Sequence, residues 1–400
     1  MKGHNSMVAV QSIHSFPARM APEIALKELQ KLPEKSIVLD PMMGSGTVLK
    51  VAIASGHHAI GRDIDPLAVL MAKVWTTPIN TQKLRESANH LVHNARTLNI
   101  KNINLPWIDD DSETSMFIDY WFGNIQKIEL RKLSYLIQAT NGPEKDALSI
   151  ALSRIIITKD IGASLGRDIS HSRPHRVMTE NVFSVMDGFL NEISHIARRL
   201  DNHPSVRYAD VRQEDARYLA SIASASVDAV LTSPPYLNAI DYLRGHKLAL
   251  VWLGYRISEI RTIRSESVGA ERAPDIHTNT HLANTIIDQL ALENILPNRE
   301  LNIIKRYVLD LFVFLSETHR TLRPSGSAIF VIGNSCLRGV FIKNALAIKL
   351  LAEQIGFRYL DEEERELPPN RRYLPPPSSA EHNNLKKRMR TETVLKFTRP

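Results

Sequence analysis

The stretch Val38-Leu39-Asp40-Pro41-Met42-Met43-Gly44-Ser45-Gly46-Thr47 constrains this chain more than any other. An apolar strand stops at an acid and a proline, a turn with two glycines follows, and Val48 to Ala54 has helical character. A second strand, His58-Ala59-Ile60-Gly61, then ends in Arg62-Asp63-Ile64-Asp65. Strand, glycine turn, helix and a strand ending in a carboxylate make the mononucleotide-binding half of a doubly wound α/β fold. Glycines let the backbone approach a ligand, and an acid about 20 residues on can accept from both ribose hydroxyls. A phosphate-binding P-loop is excluded because Thr47-Val48 stands where Lys-Ser/Thr is needed. A dinucleotide turn is excluded because Leu49 holds the place of its third glycine or alanine. The turn suits a nucleoside without a pyrophosphate.

A second feature lies downstream, where Val227-Asp228-Ala229-Val230-Leu231-Thr232 runs into Ser233-Pro234-Pro235-Tyr236. Prolines cannot donate to a sheet ladder, so pairing stops at Ser233, whose backbone is pushed towards extended geometry. A polar acceptor, a rigid turn and an aromatic face are thereby gathered at a strand end, which equips it to hold a planar amino group. Alone, the tetrapeptide reads as a proline turn capped by a packed tyrosine. The nucleoside turn upstream changes its meaning.

Together the two features resemble the S-adenosylmethionine-dependent DNA amino-methyltransferases, which methylate the exocyclic nitrogen of cytosine or adenine. Four more stretches resemble that family's elements in the family's order. His14-Ser15-Phe16-Pro17-Ala18-Arg19 looks like the element that closes over the methionine end of the cofactor. Asp215-Ala216 resembles the third-strand pair whose carboxylate meets the cofactor's adenine amino group. Leu322-Arg323-Pro324-Ser325-Gly326 with Ser327 to Val331 looks like a later turn and strand, and Arg388 to Phe397 like the terminal strand. One departure is Met42, where the family usually has phenylalanine; methionine is adaptable enough to fill the space.

The resemblance implies an α/β, Rossmann-like seven-stranded methyltransferase sheet with a large helical insertion. It implies S-adenosylmethionine as cofactor, held by Phe16, Pro17, Asp40, Pro41, Gly44, Gly46, Thr47, Asp63, Asp215, Ala216 and Thr232. Ser233, Pro234, Pro235 and Tyr236 are the implied catalytic residues, with the Ser233 hydroxyl and Pro234 carbonyl accepting from the amino hydrogens and Tyr236 stacking on the base. Serine after threonine resembles the cytosine-N4 enzymes, whereas aspartate there is typical of adenine-N6 enzymes. Cytosine is therefore preferred and adenine is the alternative. RNA, a protein glutamine, or a non-catalytic DNA-binding subunit are more distant readings. DNA is the expected partner, with a cognate restriction endonuclease as a second. Asp65 either shares the ribose or caps the helix that begins at Pro66, and Thr47 either touches the cofactor or caps its helix.

Composition fits these expectations. With 43% hydrophobic and 23% charged residues in a 400-residue chain, a globular protein of one large or two ordinary domains is expected. No apolar stretch approaches a membrane span and the N-terminus lacks a signal-peptide core, so a soluble, cytoplasmic protein is expected. The single cysteine, Cys336, rules out an intrachain disulfide and a cysteine-rich zinc cluster. It lies outside any Pro-Cys turn, so carbon-5 methylation of cytosine through a thiolate is excluded, and a buried, inert thiol is expected. His171 and His175 straddle Pro174 and do not share a helix face, so no metal is expected there. His57-His58 reads as a helix cap or an exposed pair. The net charge of +7 is compatible with a polyanionic partner. Basic clusters fall at Arg167, Arg173, His175 and Arg176, at Arg256, Arg261, Arg264 and Arg272, and at Lys386, Lys387, Arg388 and Arg390.

Periodicity divides the chain into a cofactor-binding half at 1–80, a helical insertion at 81–204, a catalytic half at 205–253, a polar, mobile insertion at 254–300 and a C-terminal part of the core at 301–400. Helices are expected at Lys83 to Leu98, Thr114 to Gln138, Lys145 to Lys159, Thr179 to Leu200 and Leu301 to Leu322, and a strand at Val206 to Ala209. Either insertion could read bases.

Overall fold

Val38 and Leu39 are fully buried because β1 (Ile37–Asp40) lies at the centre of a sheet covered on both faces, which is why it reads as an unbroken apolar run. The computed structural model describes residues 13–14, 20–158, 160–167, 174–205, 207–237, 241–270, 280–292, 295–367 and 391–400. Helix α1 (Pro22–Leu29) precedes β1, and α2 (Thr47–Ala54) connects it to β2 (His58–Asp63), which pairs with it in parallel. Thr47 is the first residue of α2, which starts after Gly46 without a side-chain cap.

The chain then leaves the sheet through α3 (Pro66–Thr76), α4 (Thr81–Thr97), a short α5 (Pro106–Asp109), α6 (Ser112–Trp121), α7 (Asn124–Ala139) and α8 (Pro143–Ile156). A two-residue ladder, β3 (Gly166–Arg167) with β4 (His175–Arg176), precedes α9 (Val185–Asn202). The chain rejoins the sheet at β5 (Asp210–Gln213), parallel to β2. Next come β6 (Val227–Thr232), α10 (Leu243–Leu250), α11 (Ile257–Glu266), α12 (Thr280–Gln289) and the long α13 (Asn298–Thr321). It finishes with β7 (Leu322–Gly333), the hairpin β8 (Ser335–Leu337) and β9 (Val340–Ile342), α14 (Asn344–Ile355), β10 (Arg358–Glu366) and β11 (Thr391–Thr398).

The seven-stranded sheet has the order β10-β11-β7-β6-β1-β2-β5, and β11 alone runs against the rest. This is the Rossmann-like methyltransferase sheet expected from the motifs. Strand order reverses between β1 and β6, and ligands of open α/β sheets sit outside the carboxyl ends of the strands at such a switch point. The β1 and β6 ends carry the two sequence motifs. At the far edge, the exposed acids Asp361, Glu362, Glu363 and Glu364 of β10 discourage further strand pairing.

Several local expectations are corrected. The third core strand is Asp210–Gln213 rather than 206–209; only Val211 of it is buried, so an edge strand left little apolar signal, and Tyr208 is exposed. Thr114 to Gln138 is two helices, broken at Phe122-Gly123, where Gly123 is extended and precedes α7. The helix expected from Thr179 starts at Val185, where the Ser184 hydroxyl accepts from the Asp187 amide. The insertion is not wholly helical, since β3 and β4 lie within it. Leu322 to Gly326 does not leave the sheet as a turn: it opens β7, with Ser325 left-handed at φ 62° and a register shift against β6. The described strand at the C-terminus begins at Thr391, and residues 368–390, with Lys386 to Arg390, lie outside the described residues.

One apolar core runs through the insertion and beyond it, joining Leu130, Leu148 and Phe189 to Trp75 of α3 and to Leu248 and Trp252 at α10. A second core packs α12, α13 and α14 against β6 and β7 through Ile286, Phe314, Phe330 and Ile348. Among its described residues the polar second insertion carries two helices, with Ile260 of α11 in the first core and Ile287 of α12 in the second.

Gly46 sits at φ 80°, and a Cβ there would lie 3.0 Å from the Ala72 Cα. Left-handed backbone costs a non-glycine residue about 1–2 kcal/mol, and the contact with α3 adds to it. Gly46→Ala is expected to lower the thermal unfolding midpoint by several degrees, read by circular dichroism.

Candidate active site

The glycine turn is tied to the end of β2. Asp63 accepts from the Gly44 amide through Oδ2 and from the Asp65 amide through Oδ1, both at 2.9 Å. The Met43 amide donates to the Arg62 carbonyl at 3.0 Å, so the turn is pinned before α2 begins. Asp40, at the end of β1, is 3% exposed and accepts from the Met42 amide at 3.2 Å.

Burial pushes the Asp40 carboxyl up to about 7, and the neighbouring Asp63 charge pushes the same way. Asp63 is likewise raised to about 7, by burial first and then by the Asp65 charge, against the pull of its two backbone donors. The Thr232 hydroxyl lies beside the Asp40 carboxyl, yet its buried Oγ1 makes no hydrogen bond of normal geometry among the described residues.

A carboxyl raised in the native state favours the protonated native protein. Stability is then highest below about 4 and is lost as pH rises towards about 7. Asp40→Asn keeps the acceptor for Met42 and places an amide donor beside Thr232. It is expected to be the more stable protein at pH 8 by a few kcal/mol, with the difference vanishing by pH 4, as measured by denaturant unfolding across pH.

Asp65 caps α3, its Oδ1 accepting from Leu67 at 2.9 Å. Its Oδ2 lies 2.6 Å from Nδ1 of His246 on α10, and both side chains are buried. Of its two sequence readings the helix cap is realised, with a partner that no motif announced.

At the end of β6, the Ser233 hydroxyl donates to the Val331 carbonyl of β7 at 2.9 Å. Its proton points into the sheet, so its lone pairs are what it offers outward. The Pro235 carbonyl accepts from the Tyr307 hydroxyl at 3.0 Å. Burial pushes the Tyr307 phenol up, so it remains a donor. Pro234 is buried, and among the described residues no donor reaches its carbonyl. Tyr236 is half-buried against the second core.

Asp215 follows β5 and binds the Arg217 guanidinium with both oxygens, the shortest contact being 2.6 Å. Arg217 also reaches Asp310 of α13 at 2.6 Å, and Ala216 beside them is buried. The carboxylate expected to meet a cofactor is thus half of an ion pair. Phe16 and Pro17 lie outside the described residues, as do Arg173 and Arg272. His57 is buried with Nε2 3.1 Å from the Leu29 carbonyl, while His58 is exposed. Cys336, expected to be buried, is half-buried on β8 because that hairpin has one face outside the core. Sequence reasoning missed Tyr307, His246, Arg217 and Asp310; the spacing of Tyr307 on α13 was visible only as a core position.

No family model matches the chain. It is 25% identical over 404 residues to the Type II methyltransferase M.MvaI of Kocuria varians, an alignment covering 92% of this chain and 86% of that protein. Its relatives are Type II methyltransferases. A second, M.BsoBI of Geobacillus stearothermophilus, is 22% identical over 87% of this chain and 79% of its own. Among solved structures, an S-adenosylmethionine-dependent methyltransferase of Methanosarcina mazei aligns over 96% of this chain and 99% of its own at 10% identity and a TM-score of 0.34. A score this low leaves the strand order as the argument for the fold.

Proposed function

We propose that this protein is a DNA methyltransferase that moves a methyl group from S-adenosylmethionine to an exocyclic amino group, cytosine N4 in preference to adenine N6. The observation that carries the reading is Ser233: at the switch point, beside the glycine turn, a hydroxyl whose own proton is committed to Val331 presents only acceptor lone pairs. The Type II methyltransferase relatives support the reaction class.

The residues fit the cofactor. Asp63 is the group for the ribose hydroxyls, because each of its oxygens carries one backbone donor and keeps a lone pair. The Thr232 hydroxyl and the buried Asp40 beside it suit the polar methionine portion, with Pro41, Gly44, Gly46 and Thr47 shaping the turn; the resemblance adds Phe16 and Pro17. Asp215 and Ala216 suit the adenine end, provided that Asp215 shares its carboxylate between Arg217 and the adenine amino group. S-Adenosylmethionine supplies an electrophilic methyl on sulfonium.

An exocyclic amine is a poor nucleophile because its lone pair is delocalised into the ring, so the chain must draw the nitrogen towards tetrahedral geometry and align it. Ser233 Oγ and the Pro234 carbonyl accept one amino hydrogen each, and Tyr236 stacks on the base. Tyr307 fixes the Pro235 carbonyl and with it the orientation of the proline pair. As the new C–N bond forms and the C–S bond breaks, the nitrogen becomes an ammonium that loses its proton to water. A base inside a duplex has to be extruded first, at a cost of a few kcal/mol. A cognate restriction endonuclease is the proposed partner in the cell, and the cytoplasm the proposed location; no helix among the described residues is long and apolar enough to cross a membrane.

The test is transfer of labelled methyl from S-adenosylmethionine to DNA by the purified protein, followed by nucleoside mass spectrometry. N4-Methylcytosine is the expected product. N6-Methyladenine would keep the mechanism and overturn the base, and label on RNA or protein alone would overturn DNA as substrate.

A further inference from the structure

Beyond the tetrapeptide the chain builds a surface that the reaction itself does not use. α10 carries Arg244 and Lys247, and α11 brings Arg264 alongside. Arg264 Nε lies 2.5 Å from Asp241 Oδ2, and Arg244 Nε lies 3.6 Å from the same oxygen. One carboxylate thus serves both arginines, and Lys247, next in the cluster, has its ammonium pKa lowered by burial and then by Arg264 and Arg244. Like charges gathered with too few counter-ions cost stability in the free protein, which is tolerated where an anion binds.

The cluster continues onto the helical insertion through aromatic rings. Lys247 Nζ lies 5.2 Å from the Phe117 ring centroid on α6. Phe117 is 6.2 Å from Trp121, which meets Tyr120 edge-on at 5.2 Å. The Arg176 guanidinium of β4 lies 4.9 Å over Tyr120, a ring that is 52% exposed. Arg261 of α11 pairs with Glu113 of α6 and bridges the same two elements, while nearby Asp119 is taken by Lys127 at 2.7 Å. Along this strip Arg244 and Arg264 share Asp241, Arg261 pairs with Glu113, and Arg176 and Lys247 make no salt bridge among the described residues.

The strip begins at the candidate active site. His246, between Arg244 and Lys247, is locked to Asp65, two residues from Asp63, so α10 is anchored beside the acid proposed for the ribose. Cations set beside aromatic rings, of which Tyr120 is exposed and Phe117 and Trp121 are half-buried, match a DNA strand, with phosphates on the cations and the exposed ring against a sugar or base. We infer that the strip from α10 and α11 across α6 to the β3–β4 ladder binds the DNA backbone flanking the target nucleotide. The inference rests on the DNA reading above and adds to it the surface that grips the strand.

The experiment is fluorescence anisotropy of a labelled DNA duplex over a salt series, with the wild-type protein, Arg244→Met/Lys247→Met, Arg176→Ala and Tyr120→Ala. Each phosphate contact removed lowers the slope of log affinity against log salt by about 0.9. The double variant is expected to lose nearly two units of slope and Arg176→Ala about one. Tyr120→Ala should weaken binding severalfold with the slope unchanged, because it removes an exposed aromatic contact and no charge. S-Adenosylmethionine binding by calorimetry should be unchanged in all of them, which separates a lost contact from a lost fold. Arg176 and Tyr120 are exposed, so their variants keep the test decisive if the α10 double variant misfolds. Variants that bind as the wild type does, in slope and affinity, would overturn the strip while leaving the proposed reaction intact. A wild-type protein that binds RNA and not DNA would overturn the DNA reading itself.

Discussion

Replacing Ser233 with alanine is expected to lower the rate of methyl transfer by about 10²–10³-fold while leaving S-adenosylmethionine affinity nearly unchanged. The hydroxyl donates to the Val331 carbonyl and, on the proposed reading, offers its lone pairs to the amino group, so its removal takes away an acceptor that matters most as the nitrogen gains positive charge. Among the described residues Ser233 makes no hydrogen bond to Asp63 or to the glycine turn, which is why the cofactor should still bind. Single-turnover kinetics with saturating cofactor read the chemical step directly. A large loss of cofactor affinity with an unchanged rate constant would mean that the serine shapes the pocket instead.

Asp63→Ala is expected to weaken S-adenosylmethionine binding by about 10²-fold or more. On the proposed reading it removes two charge-assisted bonds to the ribose, each worth about 1.5–3 kcal/mol, and it leaves the Gly44 and Asp65 amides without their acceptor. The raised pKa adds a signature in pH. Only the carboxylate accepts from both hydroxyls, so affinity should rise as pH increases through about 7 and level off above it. Binding favours the charged form, so the protein should release a proton on binding near neutrality. Calorimetry in buffers of different ionisation enthalpy measures that release. Wild-type affinity that is flat from pH 6 to 8 would remove Asp63 from the ribose.

What the sequence made legible was local. β1, its glycine turn, β2 and the run into Ser233 each announce themselves within a dozen residues, because buried parallel strands are apolar throughout and glycine and proline fix turns. β5 escaped because a short strand at a sheet edge has one buried residue, Val211, and no alternation to read. The break at Gly123 escaped because both flanking helices keep a similar apolar spacing. Tyr307 and His246 escaped for another reason: their partners, Pro235 and Asp65, lie 72 and 181 residues away in the chain, and no local pattern encodes such pairings. The same holds for Arg217, whose contact with Asp215 is local but whose contact with Asp310 ties it to α13.

The placement of the helical insertion inside the sheet also sets a schedule for synthesis. β1 pairs with β6, and Ile37 donates to Asp228 at a separation of 191 residues. At about 5–20 residues per second, a ribosome needs roughly 10–40 s between emitting the two. Through that interval β1 has β2 on one side and an open edge on the other, while all the helices from α4 to α9 have emerged with much of their own core. The crevice between β1 and β6 therefore closes only after the helices from α4 to α9 have emerged, and α10 completes their core later still.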